Sequence, residues 1–147
     1  PGETEADFEE TLAIVEAAEY ASAFTFKYSI RPGTPGATMD GQVPDAVKVE
    51  RLARLNQRIA ARQRAFGRRQ VGRTLPVLLE KPGRDPGQLA GRSPYLQAVH
   101  VEAPGSLIGT IQQVAITAAG NNSLSGKIVA APEPKSASVI ESAALIA

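Results

Sequence analysis

Arginine and lysine are the residues through which this chain can do chemistry, and they are unevenly spaced. Between Pro44 and Arg73 stand Lys48, Arg51, Arg54, Arg58, Arg62, Arg64, Arg68, Arg69 and Arg73, against Asp45 and Glu50 alone. Pro1 to Asp40 carries the opposite balance: Glu3, Glu5, Asp7, Glu9, Glu10, Glu16, Glu19 and Asp40 against Lys27 and Arg31. A net charge of +1 over 147 residues hides this polarity. Clustered guanidinium groups attract a polyanion, so the second segment is the one expected to feel a phosphate backbone. Farther along, Lys81, Arg84 and Arg92 flank a loop rich in glycine and proline, with Tyr95 beside them. Cations near one exposed ring suit phosphate contact with some base stacking, and the scarcity of rings favours backbone and shape recognition over base reading.

Other chemistries are poorly served. The chain has no cysteine, which excludes disulfides, thiolate metal sites and cysteine nucleophiles within it, and its single histidine, His100, leaves no histidine metal site. His100 with Ser93 or Ser106 makes no triad, because neither serine sits in a nucleophile motif; it is expected on a strand surface, with RNA contact as the lesser alternative. Glu9 and Glu10, or Glu3 with Asp7, resemble an acid/base pair only superficially, since they fall where a helix begins and its dipole favours carboxylates. "GQLAGR" and "PGSLIG" carry glycines, but no helix follows to make a phosphate cradle. No catalytic residue and no metal ligand is expected in this chain. No apolar run nears the roughly 20 residues of a membrane span, and nothing addresses or anchors the chain, so a cytoplasmic monomer is expected.

The elements that must position these residues follow from period and punctuation. Thr4 with Asp7 three residues on is a capping signal, and Phe8, Leu12 and Val15 recur at helical spacing, which predicts a helix from about Glu5 to Tyr20. Phe24, Phe26, Tyr28 and Ile30 alternate with Thr25, Lys27, Ser29 and Arg31, which predicts a strand over Ala23 to Ile30. Pro32, Gly33, Pro35 and Gly36 stop it, leaving Ser29, Arg31 and Thr34 at its carboxyl end. A helix followed by a strand is half of a βαβ unit, whose other half would precede Pro1. Val49, Leu52, Leu55, Ile59 and Phe66 mark a second helix from Pro44, ended by Gly67, so that Arg68, Arg69 and Arg73 lie past it in a loop; Arg51, Arg54 and Arg58 are expected on a solvated face. From Val71 the period becomes two, in "TLPVLLE", "QAVHVE", "TIQQVAIT" and "SLSGKIVA", separated by the turn-rich "KPGRDPGQLAGR", "APGSLIG" and "TAAGNNSLSG". Short strands at this spacing suggest a small antiparallel OB-like barrel with a positive rim at one end. The tail after Ala130 has no pattern.

Together these stretches resemble the tRNA methylthiotransferases of the MiaB type, radical S-adenosylmethionine enzymes with a C-terminal TRAM domain. "PGETEADF" is similar to the turn after a late strand of the radical-SAM barrel, "FKYSIRPGTPGATMDGQVPDAVKVERLARL" to its last strand and exit helix, and "VGRTLPVLLE…GQLAGRSPYLQAVHV…LIGTIQQVAITAAGNNSLSGKIV" to the TRAM barrel. The resemblance implies an α+β fragment in which residues 1–43 close a partial TIM-like barrel, 44–69 form a connecting basic helix, 70–131 the TRAM domain and 132–147 a flexible tail. It implies a parent that methylthiolates the isopentenylated adenosine beside the tRNA anticodon, using S-adenosylmethionine and two 4Fe–4S clusters on upstream cysteines. This chain, lacking those cysteines, would be inactive alone and hold neither cofactor. It would contribute Tyr28, Ser29, Arg31 and Thr34 to the edge of the cofactor and substrate cavity, and Arg68, Arg69, Arg73, Lys81, Arg84, Arg92, Tyr95 and His100 to tRNA binding at the anticodon arm. Arg31 would there meet a carboxylate or phosphate, or else pair with Asp40. The alternatives are a ribosomal-protein methylthiotransferase of the same family, disfavoured by the "RPGT" turn, and a self-standing TRAM-type RNA-binding module.

Overall fold

A computed structural model describes residues 1–129. The tail expected over 132–147 and the last residues of the expected TRAM boundary lie outside the described residues. Helix α1 runs Glu5–Ala18 and begins as its sequence dictates. Thr4 and Asp7 form a reciprocal cap, with Asp7 N–H donating to Thr4 Oγ1 at 3.2 Å and Thr4 N–H to Asp7 Oδ2 at 2.8 Å. Phe8, Leu12 and Val15 are buried on one face. The helix closes on Glu19 in the left-handed conformation, φ 48°.

The strand expected over Ala23 to Ile30 is not formed. The segment pairs with no other strand among the described residues, and its aromatic residues are bare, with Phe24 and Phe26 90% and 86% exposed. A strand exists only where a neighbour takes up its backbone donors and acceptors, and alternation alone supplies no neighbour. The segment is held by side chains instead: Thr25 Oγ1 donates to Asn56 Oδ1 at 2.6 Å, and Lys27 Nζ meets Asp45 at 3.0 Å. After it, Pro35–Thr38 makes a single helical turn, α2.

Helix α3, Asp45–Gln70, is the strut of the molecule. Its first half packs on α1 and its last turns rest on the barrel, where Gly67 lies against Ala119, Gln97 and Leu124. The helix therefore continues through Gly67, which is buried, and stops at Gln70; Gly72, at φ 85°, turns the chain into β1. Arg68 and Arg69 thus belong to the helix, contrary to the loop placement expected of them. Tertiary contact outweighs the modest cost of an interior glycine.

Strands β1 (Thr74–Pro82), β2 (Gln88–Arg92), β3 (Ala98–Glu102), β4 (Ile111–Ala119) and β5 (Ser123–Ile128) close a barrel in the order β1-β2-β3-β5-β4, with one 3-10 turn at Gly105–Leu107 before β4. Four pairings are antiparallel and β3 pairs with β5 in parallel, which corrects the all-antiparallel expectation. Five strands in a closed ring cannot alternate direction all the way round, so one pair must run together. Strand β2 falls inside a stretch expected to be loop. Its Gly91 pairs with Leu79 at a close crossing: a Cβ there would fall on the Leu78 carbonyl oxygen and stand 2.9 Å from Val77 Cγ1. The glycine serves backbone approach within a strand, where the sequence reads as a bend. Inward residues Leu75, Val77, Leu79, Leu89, Val99, Val101, Val114, Ile116 and Leu124 form one core. Nine such side chains at about 1.5–3 kcal/mol each are the main term holding the barrel closed.

Candidate nucleic-acid interface

The basic face of α3 is not free for a polyanion, because α1 already covers it with carboxylates. Arg51 bonds Glu3 at 2.7 Å and Glu5 at 3.1 Å; Arg54 bonds Glu5 at 2.6 Å and pairs with Glu9; Arg58 and Arg62 pair with Glu16; Arg69 reaches Glu19 at 3.2 Å. Arg51 is 7% exposed, and its guanidinium and that of Arg54 lie over the Phe8 ring at 5.5 and 4.9 Å. The solvated face expected for Arg51, Arg54 and Arg58 is therefore a helix-to-helix ion-pair ladder. The acids of α1 are counter-ions as well as capping residues. The Arg54 hydrogen bond holds the Glu5 carboxyl below the usual carboxylate range, as the Thr4 backbone does for Asp7 and Lys27 for Asp45. For Arg51, desolvation works against the charge, yet the bonds to Glu3 and Glu5 prevail and raise its pKa.

The other expected contacts divide between two ends of the barrel. At the α3 end, Arg68 is exposed, Arg69 stacks over Phe66 at 5.7 Å, and Arg73 donates to Gln70 Oε1 at 2.8 Å. Tyr95 meets Phe66 edge-on, with centroids 5.0 Å apart, so its ring is partly spent on α3. Arg92 bonds the Leu96 carbonyl at 3.1 Å and lies 3.5 Å from Glu80. Lys81 and Arg84 stand at the opposite end, in and beside the β1–β2 hairpin turn. Between the two ends runs β2, Gln88 to Arg92, ~13 Å long. A single positive rim is thus not what the strand order builds: Arg84 and Arg92 flank β2 and are carried apart by it.

Near the hairpin end the structure gathers residues that sequence reasoning did not group. A groove of about 630 Å³ crosses the outer face of the barrel, lined by Gln88, His100, Glu102, Thr117, Ser125 and Lys127 among others. His100 is half-buried there, and its Nδ1 is sheltered from solvent without a hydrogen-bond partner. Among the described residues, no carboxylate lies in ion-pair reach of Lys81, Arg84 or Lys127, nor of Arg64, Arg68 and Arg73 at the other end. Lys127 and Ser125 were detectable: "SLSGKI" puts Leu124 on one side and the two polar residues on the other.

Of Tyr28, Ser29, Arg31 and Thr34, Tyr28 alone lines a cavity among the described residues. Tyr28 borders a cavity of about 310 Å³ with Phe8, Phe26, Arg51, Leu52 and Leu55, and its carbonyl accepts from Lys48 Nζ at 3.4 Å. Thr34 Oγ1 donates to the Arg31 carbonyl at 2.8 Å, closing the turn. The Arg31 side chain is exposed and meets no carboxylate among the described residues, so the ion pair with Asp40 is not formed. No group of three His, Asp or Glu residues among those described is placed to hold a metal, and no described helix is long and apolar enough to cross a membrane.

Comparison with known proteins agrees with this architecture. Residues 68–129 match the TRAM domain family. Over 128 residues, 87% of this chain, the sequence is 59% identical to a tRNA-2-methylthio-N(6)-dimethylallyladenosine synthase from Maricaulis maris (strain MCS10). The chain spans 28% of that relative's length. The stretch that matches the TRAM domain family thus takes in the whole barrel, on a chain that over most of its length is similar to part of that synthase.

Proposed function

We propose that this chain is the RNA-gripping part of a tRNA-2-methylthio-N6-dimethylallyladenosine synthase, with the methylthiolation of an isopentenylated adenosine beside the anticodon carried out by the rest of a longer polypeptide. The observation that carries this reading is the 59% identity over 128 residues, about twice the length of the stretch that matches the TRAM domain, residues 68–129. Residues 1–43 are then the closing elements of a radical-SAM barrel whose remaining strands would cover Phe24 and Phe26. The placement expected in the cytoplasm follows from the same reading.

S-adenosylmethionine and two 4Fe–4S clusters would supply the methylthiolation chemistry in such a protein. This chain has no cysteine and so offers no thiolate to a cluster. What it offers is Arg31, exposed in the turn that Thr34 closes, whose fork of donors fits a carboxylate or phosphate. Toward tRNA it offers Lys81, Arg84 and Lys127 around the groove, and Arg64, Arg68 and Arg73 near α3. These cations remain available once α1 has neutralised the other arginines of α3, and each one that meets a phosphate releases counter-ions.

The test is fluorescence anisotropy of a labelled tRNA anticodon stem-loop titrated with the chain at several salt concentrations. Binding should weaken steeply with salt, and Lys81→Glu with Arg84→Glu should reduce the log–log salt slope by about two. Arg58→Gln, whose guanidinium is spent on Glu16, should change little. Binding that ignores salt, or that is missing at low salt, refutes the reading.

A further inference from the structure

We infer that the groove on the outer face of β2, β3, β5 and β4 seats one ribose-phosphate unit of an RNA strand and distinguishes ribose from deoxyribose. This rests on the RNA-binding reading and names the part of the barrel that makes the chain choose RNA.

The placement follows from strand parity. Leu89, Val99, Val101 and Leu124 point into the core, so Gln88, His100, Glu102, Ser125 and Lys127 stand outside. Register makes them neighbours: His100 pairs with Ser125 across β3 and β5, and Gln88 with Glu102 across β2 and β3. Thr117 Oγ1 donates to the Ser125 carbonyl at 3.2 Å, which brings β4 to the same face.

The chemistry follows from what these groups leave unmet. His100 Nδ1 is shielded from solvent and has no hydrogen-bond partner among the described residues, a state that buried polar atoms rarely keep. Among the described residues Lys127 has no carboxylate in ion-pair reach and Glu102 no cation, although both line the groove. A single carboxylate is too few for a divalent cation. A single ammonium is a poor site for free phosphate, and a polar lining gives an apolar peptide side chain nothing to fill. An ammonium for a phosphate oxygen, a carboxylate to accept from a hydroxyl, and an imidazole nitrogen with a serine hydroxyl between them suit a sugar hydroxyl next to a phosphate. The 2′-hydroxyl is the group that separates RNA from DNA at such a site. Gln88 links the groove to the hairpin, since its Oε1 accepts from Arg84 N–H at 3.1 Å. Lys81 and Arg84 are thereby placed to meet the next phosphate along the strand.

The experiment uses the full chain with a labelled single-stranded RNA and the same sequence as DNA, in anisotropy titrations at one salt concentration. The wild type should prefer RNA. His100→Ala and Glu102→Ala should each weaken RNA binding about tenfold, one charge-assisted or sheltered hydrogen bond, while leaving DNA binding nearly unchanged. His100→Asn keeps a polar atom near the Nδ1 position and should recover most of the loss, which a merely structural role would not produce. Lys127→Gln should lower the RNA salt slope by about one. Thermal unfolding of each variant checks that the barrel is intact. Equal wild-type affinity for RNA and DNA, or variants that keep the RNA preference, overturns the groove assignment while Lys81→Glu with Arg84→Glu still reports on RNA binding itself. Failure of the wild type to bind either strand at low salt removes both.

Discussion

Gly91→Ala is the sharpest probe of the barrel. The added Cβ would stand 2.9 Å from Val77 Cγ1 and 3.0 Å from the Leu78 carbonyl carbon, and would meet the Leu78 oxygen still more closely. Ordinary carbon contacts need about 3.5–4.0 Å, so β1 and β2 must part by about 0.6 Å or more at the Leu79–Gly91 pair. Overpacking of this kind costs about 1–3 kcal/mol, and stretching the adjoining ladder hydrogen bonds adds about 1 kcal/mol for each one lost. A total near 3 kcal/mol is a large part of the stability of a small domain, and at about 4 °C per kcal/mol lowers the midpoint by roughly 12 °C. The assay is thermal unfolding followed by circular dichroism, with Gly105→Ala as control. Gly105 has open space around its would-be Cβ and no left-handed φ, so its substitution should stay within about 0.5 kcal/mol. If the two variants melt together, the close crossing of β1 and β2 is not what this glycine serves.

Leu79→Ala, at a fully buried core position, should lower stability by about 3 kcal/mol in urea titration; a loss under 1 kcal/mol would mean the core is not packed as described. Acid should release α1 from α3 before the barrel opens. Glu5, which joins α1 to Arg51 and Arg54 of α3, is depressed by them, and Asp7 in the α1 cap by Thr4, so their contribution is present above the unfolded carboxylate values, about 4, and is lost as pH falls through the lower folded values. Amide chemical shifts of α1 and β3 followed below pH 5 check this, and simultaneous change in both elements counts against it. Raising salt at neutral pH should loosen the same helix pair, measured by protection of α1 amides from exchange, because half-exposed ion pairs are screened.

Much of this was legible in the chain. Helix α1 shows itself twice, in the Thr4–Asp7 cap and in Phe8, Leu12 and Val15, and it forms within two residues of the expected end. The inward residues of β1, β3 and β4 stand at the alternate positions read from the sequence, because a closed barrel imposes period two on each strand. Strand β2 escaped notice because Gly91 and the neighbouring turn-formers mimic a loop, and local sequence does not reveal which backbone passes close by. Residues 23–30 failed in the opposite sense, having a strand pattern without a strand to pair with. The parallel β3–β5 pair was hidden with β2, since four strands can close with every pair antiparallel and only a fifth forces one pair to run together. The candidate interface was legible in composition and not in arrangement. Charges summed along a sequence do not tell that Arg51 and Arg54 will face Glu3, Glu5 and Glu9, or that β2 will separate Arg84 from Arg92. His100 was seen as a strand residue, but the groove around it joins β3 to β5, whose contact depends on how the barrel closes.

The ladder between α1 and α3 has a practical corollary. Glutamates set against arginines along a helix act as a resident decoy for phosphate, keeping the α1-facing arginines of the strut silent toward nucleic acid. A shortened piece that starts after α1 would bare Arg51, Arg54, Arg58 and Arg62 and adhere to any RNA or DNA in the tube. Tight, indiscriminate adhesion by such a piece would describe the uncovered helix, and only material that retains Glu3 to Glu19 reports what the barrel itself selects.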